Sequence, residues 1–216
     1  MSVQMLNTAF VGQAEPVAAW TGLGVRMQFA ADEEIYAQEE EADLFYQVLS
    51  GAVRTIRLLS DGRRQVGGFY YTGDMFGFEG GPIHRLSAEA IGPCEILVVR
   101  RSAARQFGAA DGSFERQLWA ATSKELARTQ EHLLLLGRKT AAEKVAAFLL
   151  GLADRFPGEK TDLPMGRQDM ADYLGLTIET VSRMLTQMQG EGLVRFEGCR
   201  RFSIGNRGAL RVLATD

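Results

Sequence analysis

The sequence predicts an α+β chain built as an N-terminal β-roll, a long helix and a C-terminal winged helix-turn-helix. Three observations point there. Short apolar runs broken by glycine fill residues 25 to 101, the texture of strands joined by tight turns. A stretch without Gly or Pro runs from Ser113 to Leu136, which suits one helix of many turns. Beyond it, helix signals recur at short spacing and end in a hairpin pattern. The segments are bounded at 1–108, 109–136 and 137–216.

In the first segment the strand runs are LFYQVLSG (44–51), AVRTIRLLSDG (52–62), VGGFYYTGDMFG (66–77) and CEILVVRR (94–101). Val53, Thr55, Arg57 and Leu59 alternate with Arg54, Ile56 and Leu58, the period of a half-buried strand. Asp61-Gly62 is a tight hairpin signal. Strands at this spacing suggest a small sandwich or roll, with Cys94 in its core. The Glu39-Glu40-Glu41 run reads as a solvated turn.

In the second segment Trp119, Thr122, Leu126, Thr129, Leu133 and Leu136 recur at three- and four-residue steps. Lys124, Glu125, Arg128 and Glu131 fall off that seam. Such a stripe serves either to pack one helix on the β-roll or to pair it with its twin in a homodimer. A Trp with three Leu on one stripe is rare on a lone surface helix, which favours the dimer interface.

The third segment opens on an expected hinge at Gly137, Arg138 and Lys139. Thr140 with Glu143 has capping-box spacing, so a helix carrying Val145, Phe148, Leu149 and Leu152 starts there and stops near Phe156-Pro157-Gly158. Two short helices follow, then a hairpin of Leu193–Glu197, a turn at Gly198, and Arg201–Ile204.

The short helices lie in RQDMADYLGLTIETVSRMLTQM, residues 167–188. Ala171, Gly175 and Val181 follow the pattern A-x3-G-x5-V. Ala171 suits a close helix crossing, and Gly175 suits a turn needing positive φ. Val181 with Leu174, Leu176 and Leu185 fills the wedge, and Ile178 is expected to face the same core. Thr177 can cap the second helix. Glu179, Ser182 and Arg183 then share one face. In a helix-turn-helix the second helix enters the major groove N-terminus first, so these three are the expected base contacts. Arg183 suits guanine, Glu179 a cytosine amine, and Ser182 a phosphate or thymine edge. A bare i,i+4 pair between Glu179 and Arg183 is the plainer alternative, and the two uses are compatible. Backbone contacts are expected from Arg167, Gln168, Thr177, Thr180, Arg200 and Arg201.

Composition is that of an ordinary globular chain, with 46% hydrophobic and 24% charged residues over 216. The net charge of −3 divides unevenly. Residues 1–136 carry 12 Lys and Arg against 17 Asp and Glu, a net −5; residues 137–216 carry 12 against 10, a net +2. The basic excess lies where DNA contact is expected. Two distant cysteines, Cys94 and Cys199, make neither a disulfide framework nor a metal site. The first 20 residues lack a basic n-region with a long apolar run, and no apolar stretch is long enough to span a membrane. A cytoplasmic protein with reduced thiols is expected. Enzyme chemistry is not: only His84 and His132 are present, and no G-x-S-x-G, P-loop or H-E-x-x-H occurs. Neither metal nor cofactor is expected, and His84 reads as a satisfied surface residue.

The chain resembles the Crp/Fnr family of bacterial transcription regulators over nearly its whole length. DLFYQVLSGAVR (43–54) and TGDMFG (72–77) resemble the family's β-roll, a cyclic-nucleotide-binding-like domain. DYLGLTIETVSRML (172–185) resembles its reading head. The E-x-x-S-R string at Glu179, Ser182 and Arg183 is similar to the Fnr/FixK branch, whereas the cAMP-receptor branch usually carries Gly in place of Ser182. The resemblance implies a palindromic operator in double-stranded DNA with TTGA-type half-sites, and activation through RNA polymerase. It also carries departures. Phe78 follows Gly77 where nucleotide binders have Glu, and Arg85-Leu86-Ser87 lacks their adjacent Arg-Ser pair. Residues 1–30 hold no cysteine for an iron–sulfur cluster. A FixK-like regulator without cyclic nucleotide is therefore expected, with gating by cAMP or another small molecule in the β-roll as the alternative. Cys199, beside Arg200 and Arg201, is a candidate redox switch because neighbouring cations favour thiolate.

Overall fold

A computed structural model describes residues 22–108 and 113–215. The expectation of no leader in the first 20 residues lies outside them. The described residues divide into two compact units, those up to Glu125 and those from Leu126 onward.

The first unit is two antiparallel four-stranded sheets. Its strands are β1 (Val25–Phe29), β2 (Glu34–Tyr36), β3 (Leu44–Ser50), β4 (Ala52–Leu58), β5 (Arg64–Tyr71), β6 (Met75–Phe76), β7 (Ser87–Ala90) and β8 (Cys94–Arg100). One sheet has the order β1-β8-β3-β6 and the other β2-β7-β4-β5. Tyr46, Val48, Val53, Tyr70, Phe76, Cys94 and Ile96 fill the space between them. The hairpin at Asp61-Gly62 joins β4 to β5 as expected. β3 is buried on both faces: Phe45 points away from that core into a second cluster with Leu97, Val99 and Ala104. That is why LFYQVLS reads as a continuous apolar run rather than an alternating one.

Helix α1 (Arg101–Gly108) and helix α2 (Ser113–Arg138) follow. Ala104 of α1 and Leu118 of α2 close the second cluster. Lys124 Nζ meets Asp74 Oδ1 at 3.1 Å, and Tyr70 donates its hydroxyl to Glu125 at 2.8 Å. The hinge differs from expectation. α2 continues through Gly137 and Arg138, and the chain breaks only at Lys139 and Thr140. One glycine costs a helix only about 1 kcal/mol, whereas Thr140 at φ −67°, ψ 167° begins a new helix.

The second unit contains α3 (Ala141–Arg155), β9 (Thr161–Asp162), α4 (Arg167–Leu174), α5 (Ile178–Gly190), β10 (Val194–Glu197), β11 (Arg201–Ile204) and α6 (Arg207–Thr215). The Thr140–Glu143 capping box is formed in both directions. α3 is buried along most of its length and packs against α5 and α6. The expected hairpin is present, and β9 adds to it in the order β10-β11-β9. α1, β9 and α6 were not anticipated. β9 has two residues and α1 and α6 are short, so periodicity has little to register. Among the described residues no helix is long and apolar enough to cross a membrane.

Candidate nucleic-acid interface

α4 and α5 meet across a three-residue turn. Gly175 ends α4 with φ 61°, ψ 42°, a left-handed conformation that disfavours any Cβ. Its N–H and that of Leu176 both donate to the Ala171 carbonyl. Thr177 then caps α5, its Oγ1 accepting from the Thr180 N–H at 3.2 Å and lying 3.1 Å from Thr180 Oγ1. Ala171, Leu174 and Val181 are fully buried, as a close crossing requires. Val181, Leu185 and Met188 form the core face of α5. Ile178 departs from the expected core position and is 37% exposed. It is the first residue of α5, ahead of the turn that packs on α4.

The opposite face of α5 presents Glu179 and Arg183 exposed and Ser182 half-buried. No ion pair links Glu179 to Arg183 among the described residues. Instead, the Glu179 backbone N–H and then the Thr177 hydroxyl hold the Glu179 carboxyl below its ordinary pKa, so it stays ionised. Arg167, the first residue of α4, donates from Nη1 to Ser182 Oγ at 3.2 Å. One cation of α4 thus reaches Ser182 on α5, a link that no spacing rule within one helix would find. Gln168 donates to Asp172 Oδ1 at 2.7 Å along the same helix.

The wing cations are engaged within the chain. Arg200 Nη1 donates to the Pro164 carbonyl. Arg201 pairs with Asp162 at 2.7 Å, and that hydrogen bond raises its pKa further. Cys199 is exposed in the turn between these strands. Arg195 is a further exposed cation, on β10 opposite Ser203.

On α2 the expected seam is open in the single chain. Trp119, Leu126 and Leu133 are 76%, 58% and 70% exposed, and Thr122 and Thr129 are exposed with them. Leu136 is half-buried, and its Cδ2 lies 3.3 Å from where a Cβ on Gly175 would sit.

The β-roll interior holds its own charges. Arg54 pairs with Glu89 at 2.7 Å and Asp32 at 2.9 Å. Arg101 donates to the carbonyls of Gly77, Glu79 and Leu44. Glu79 Oε1 accepts from the Arg85 N–H at 3.1 Å, and Ser87 Oγ accepts from the Gln38 N–H at 2.9 Å. His84 contradicts the surface expectation. It is 1% exposed and stacked on Tyr36 at 3.7 Å, with Nδ1 facing the Glu79 carboxylate at 3.7 Å. The loop carrying it is pinned by backbone bonds with Glu39 and Glu40, which draw the ring inward. Burial pushes its pKa down.

Residues 143–213 match the Crp-like helix-turn-helix domain, and residues 26–111 match the cyclic nucleotide-binding domain. The nitrogen fixation regulation protein FixK of Azorhizobium caulinodans is 44% identical over 206 residues, covering 93% of this chain and 83% of that protein. FixK of Rhizobium meliloti is 46% identical over 181 residues, covering 83% and 82%. The structure of FixK2 from Bradyrhizobium japonicum superposes with a TM-score of 0.86 at 47% identity, covering 90% of this chain and 98% of that one. The chain therefore belongs to the Crp/Fnr family, among its FixK-like members: it is a transcription regulator with a helix-turn-helix DNA-binding domain, and not an enzyme.

Proposed function

We propose that this regulator is a cytoplasmic activator that binds a palindromic operator with TTGA-type half-sites as a homodimer, without a cyclic nucleotide. In this reading segments 1–108, 109–136 and 137–216 are a sensor-like domain, a dimer helix and a DNA-binding domain. The observation that carries it is the free polar face of α5. Arg183 is exposed and has no hydrogen-bond or ion-pair partner among the described residues, so its guanidinium is available to a guanine edge. Ionised Glu179 faces a cytosine amine, and Ser182, steadied by Arg167, completes the base contacts. Arg167, Gln168, Thr177, Thr180, Arg200 and Arg201 contact the backbone; Arg201 must release Asp162 to do so.

Exposed Trp119, Leu126 and Leu133 support pairing of α2 with its twin through a seam that also includes Thr122, Thr129 and Leu136. The engaged states of Arg54 and Arg101 support operation without cyclic nucleotide, since a cyclic phosphate needs a cation and aimed donors together. DNA-bound dimers activate by touching RNA polymerase. Oxidation of exposed Cys199 by peroxide, giving a sulfenic acid and water, weakens DNA binding in this reading. A Cys199→Ser protein that stayed as peroxide-sensitive as the parent would remove that element.

The test is selection of operators from random DNA by the purified protein without additives. Enrichment of TTGA-type palindromes is expected; no enrichment until a small molecule is added would sink the effector-free reading. That outcome would favour gating by cAMP or another ligand in the β-roll.

A further inference from the structure

The end of α2 grips the turn of the helix-turn-helix. His132 Nε2 lies 2.7 Å from the Tyr173 carbonyl. A carbonyl only accepts, so Nε2 carries the proton and donates. The Tyr173 carbonyl is among the last four of α4, which a helix cannot satisfy from within. A histidine donor is a fitting partner at that pole. The imidazole also lies flat on the Tyr173 ring, with centroids 4.0 Å apart and planes 5° apart. Tyr173 in turn leans on Phe148 of α3 at 5.7 Å. One turn further along α2, on the same face, Leu136 meets Gly175.

We propose that His132 is a positioning residue for DNA recognition. Its bond to the Tyr173 carbonyl and its stack on the Tyr173 ring latch the last turns of α2 to the C-terminal end of α4. The direction of α2 then sets the angle at which α5 meets the groove. This rests on the reading above that α2 pairs two copies: with both heads latched, the separation of the two α5 helices is set, and with it the half-site spacing.

The bond and the stack separate by substitution in the full chain. His132→Phe keeps a flat ring over Tyr173 and removes the donor. His132→Gln keeps a donor at the position of Nε2 and removes the ring. Two readouts are taken: amide exchange at Gly175 and Leu176, whose N–H groups hold the turn, and affinity for the selected operator against operators with one base pair added or removed between half-sites. For His132→Phe, turn exchange rises about fivefold. Discrimination between spacings falls by a similar factor, while affinity for random DNA and exchange at Leu149 and Leu152 in α3 stay at parent values. His132→Gln restores both readouts towards the parent.

Parent-like turn exchange and spacing preference in His132→Phe would overturn the assignment. So would uniform loss over all DNA and all amides, or unfolding of the C-terminal unit in both variants, because either makes the contact ordinary packing. A parent protein that is monomeric and indifferent to spacing refutes the dimer reading instead, and the exchange at Leu176 still decides the latch.

Discussion

Replacing Gly175 by Ala probes the turn between α4 and α5 directly. Gly175 sits at φ 61°, where an L-residue pays about 1–2 kcal/mol. Stiffening of the unfolded chain returns about 0.4–1 kcal/mol. The new Cβ would stand 3.3 Å from Leu136 Cδ2, inside the preferred carbon separation of about 3.5–4.0 Å, so Leu136 must move by a few tenths of an ångström. The sum is a loss of about 1–2 kcal/mol in the C-terminal unit. Gly192→Ala supplies the control: φ is 71° there and nothing lies within 4 Å of the added carbon. It should cost only the backbone part, about 0.5–1 kcal/mol. The assay is native-state hydrogen exchange of the most protected α3 amides, which report opening of the whole unit. Equal losses in the two variants would refute a tight Leu136 contact, and no loss in Gly175→Ala would refute the left-handed turn itself.

Three further outcomes are expected. Arg183→Ala should lose about 1–3 kcal/mol per half-site and blur one base position in operator selection; unchanged affinity and preference would refute the docking of α5. Thr140→Ala removes the capping box of α3 and should cost about 1 kcal/mol in the same exchange assay; a loss confined to the β-roll would contradict it. Burial lowers the pKa of His84 from its ordinary 6.5, so the unfolded chain binds more protons and stability falls as pH drops below about 6.5. Thermal unfolding at neutral and acid pH should show the parent β-roll losing more than His84→Phe, which keeps the ring on Tyr36; equal acid sensitivity would refute this.

Most of the fold was legible because its signals are local. Asp61-Gly62 announces a hairpin, Thr140 with Glu143 a helix start, and Ala171, Gly175 and Val181 a helix-turn-helix, each through a few neighbouring residues. The misses are positions whose environment is made by distant chain. His84 is pulled inward by backbone pairing with residues some forty positions away. Ile178 has helix-face spacing but no cover, because α4 lies one turn further on. Gly137 reads as a break and is carried through by its helix.

The sequence by itself determined the order of the longer elements, the shared face of Glu179, Ser182 and Arg183 on α5, and the apolar seam on α2, since each follows from helical period and capping chemistry. Only the tertiary structure decided which of those side chains are free. Among the described residues Arg183 is unpaired while Arg201 is held by Asp162, Arg167 reaches across to Ser182, and His132 closes on Tyr173 forty-one residues along the chain. The reason is that hydrogen bonds and ion pairs form between whatever groups folding brings within about 3 Å, and no spacing along one chain segment encodes that meeting.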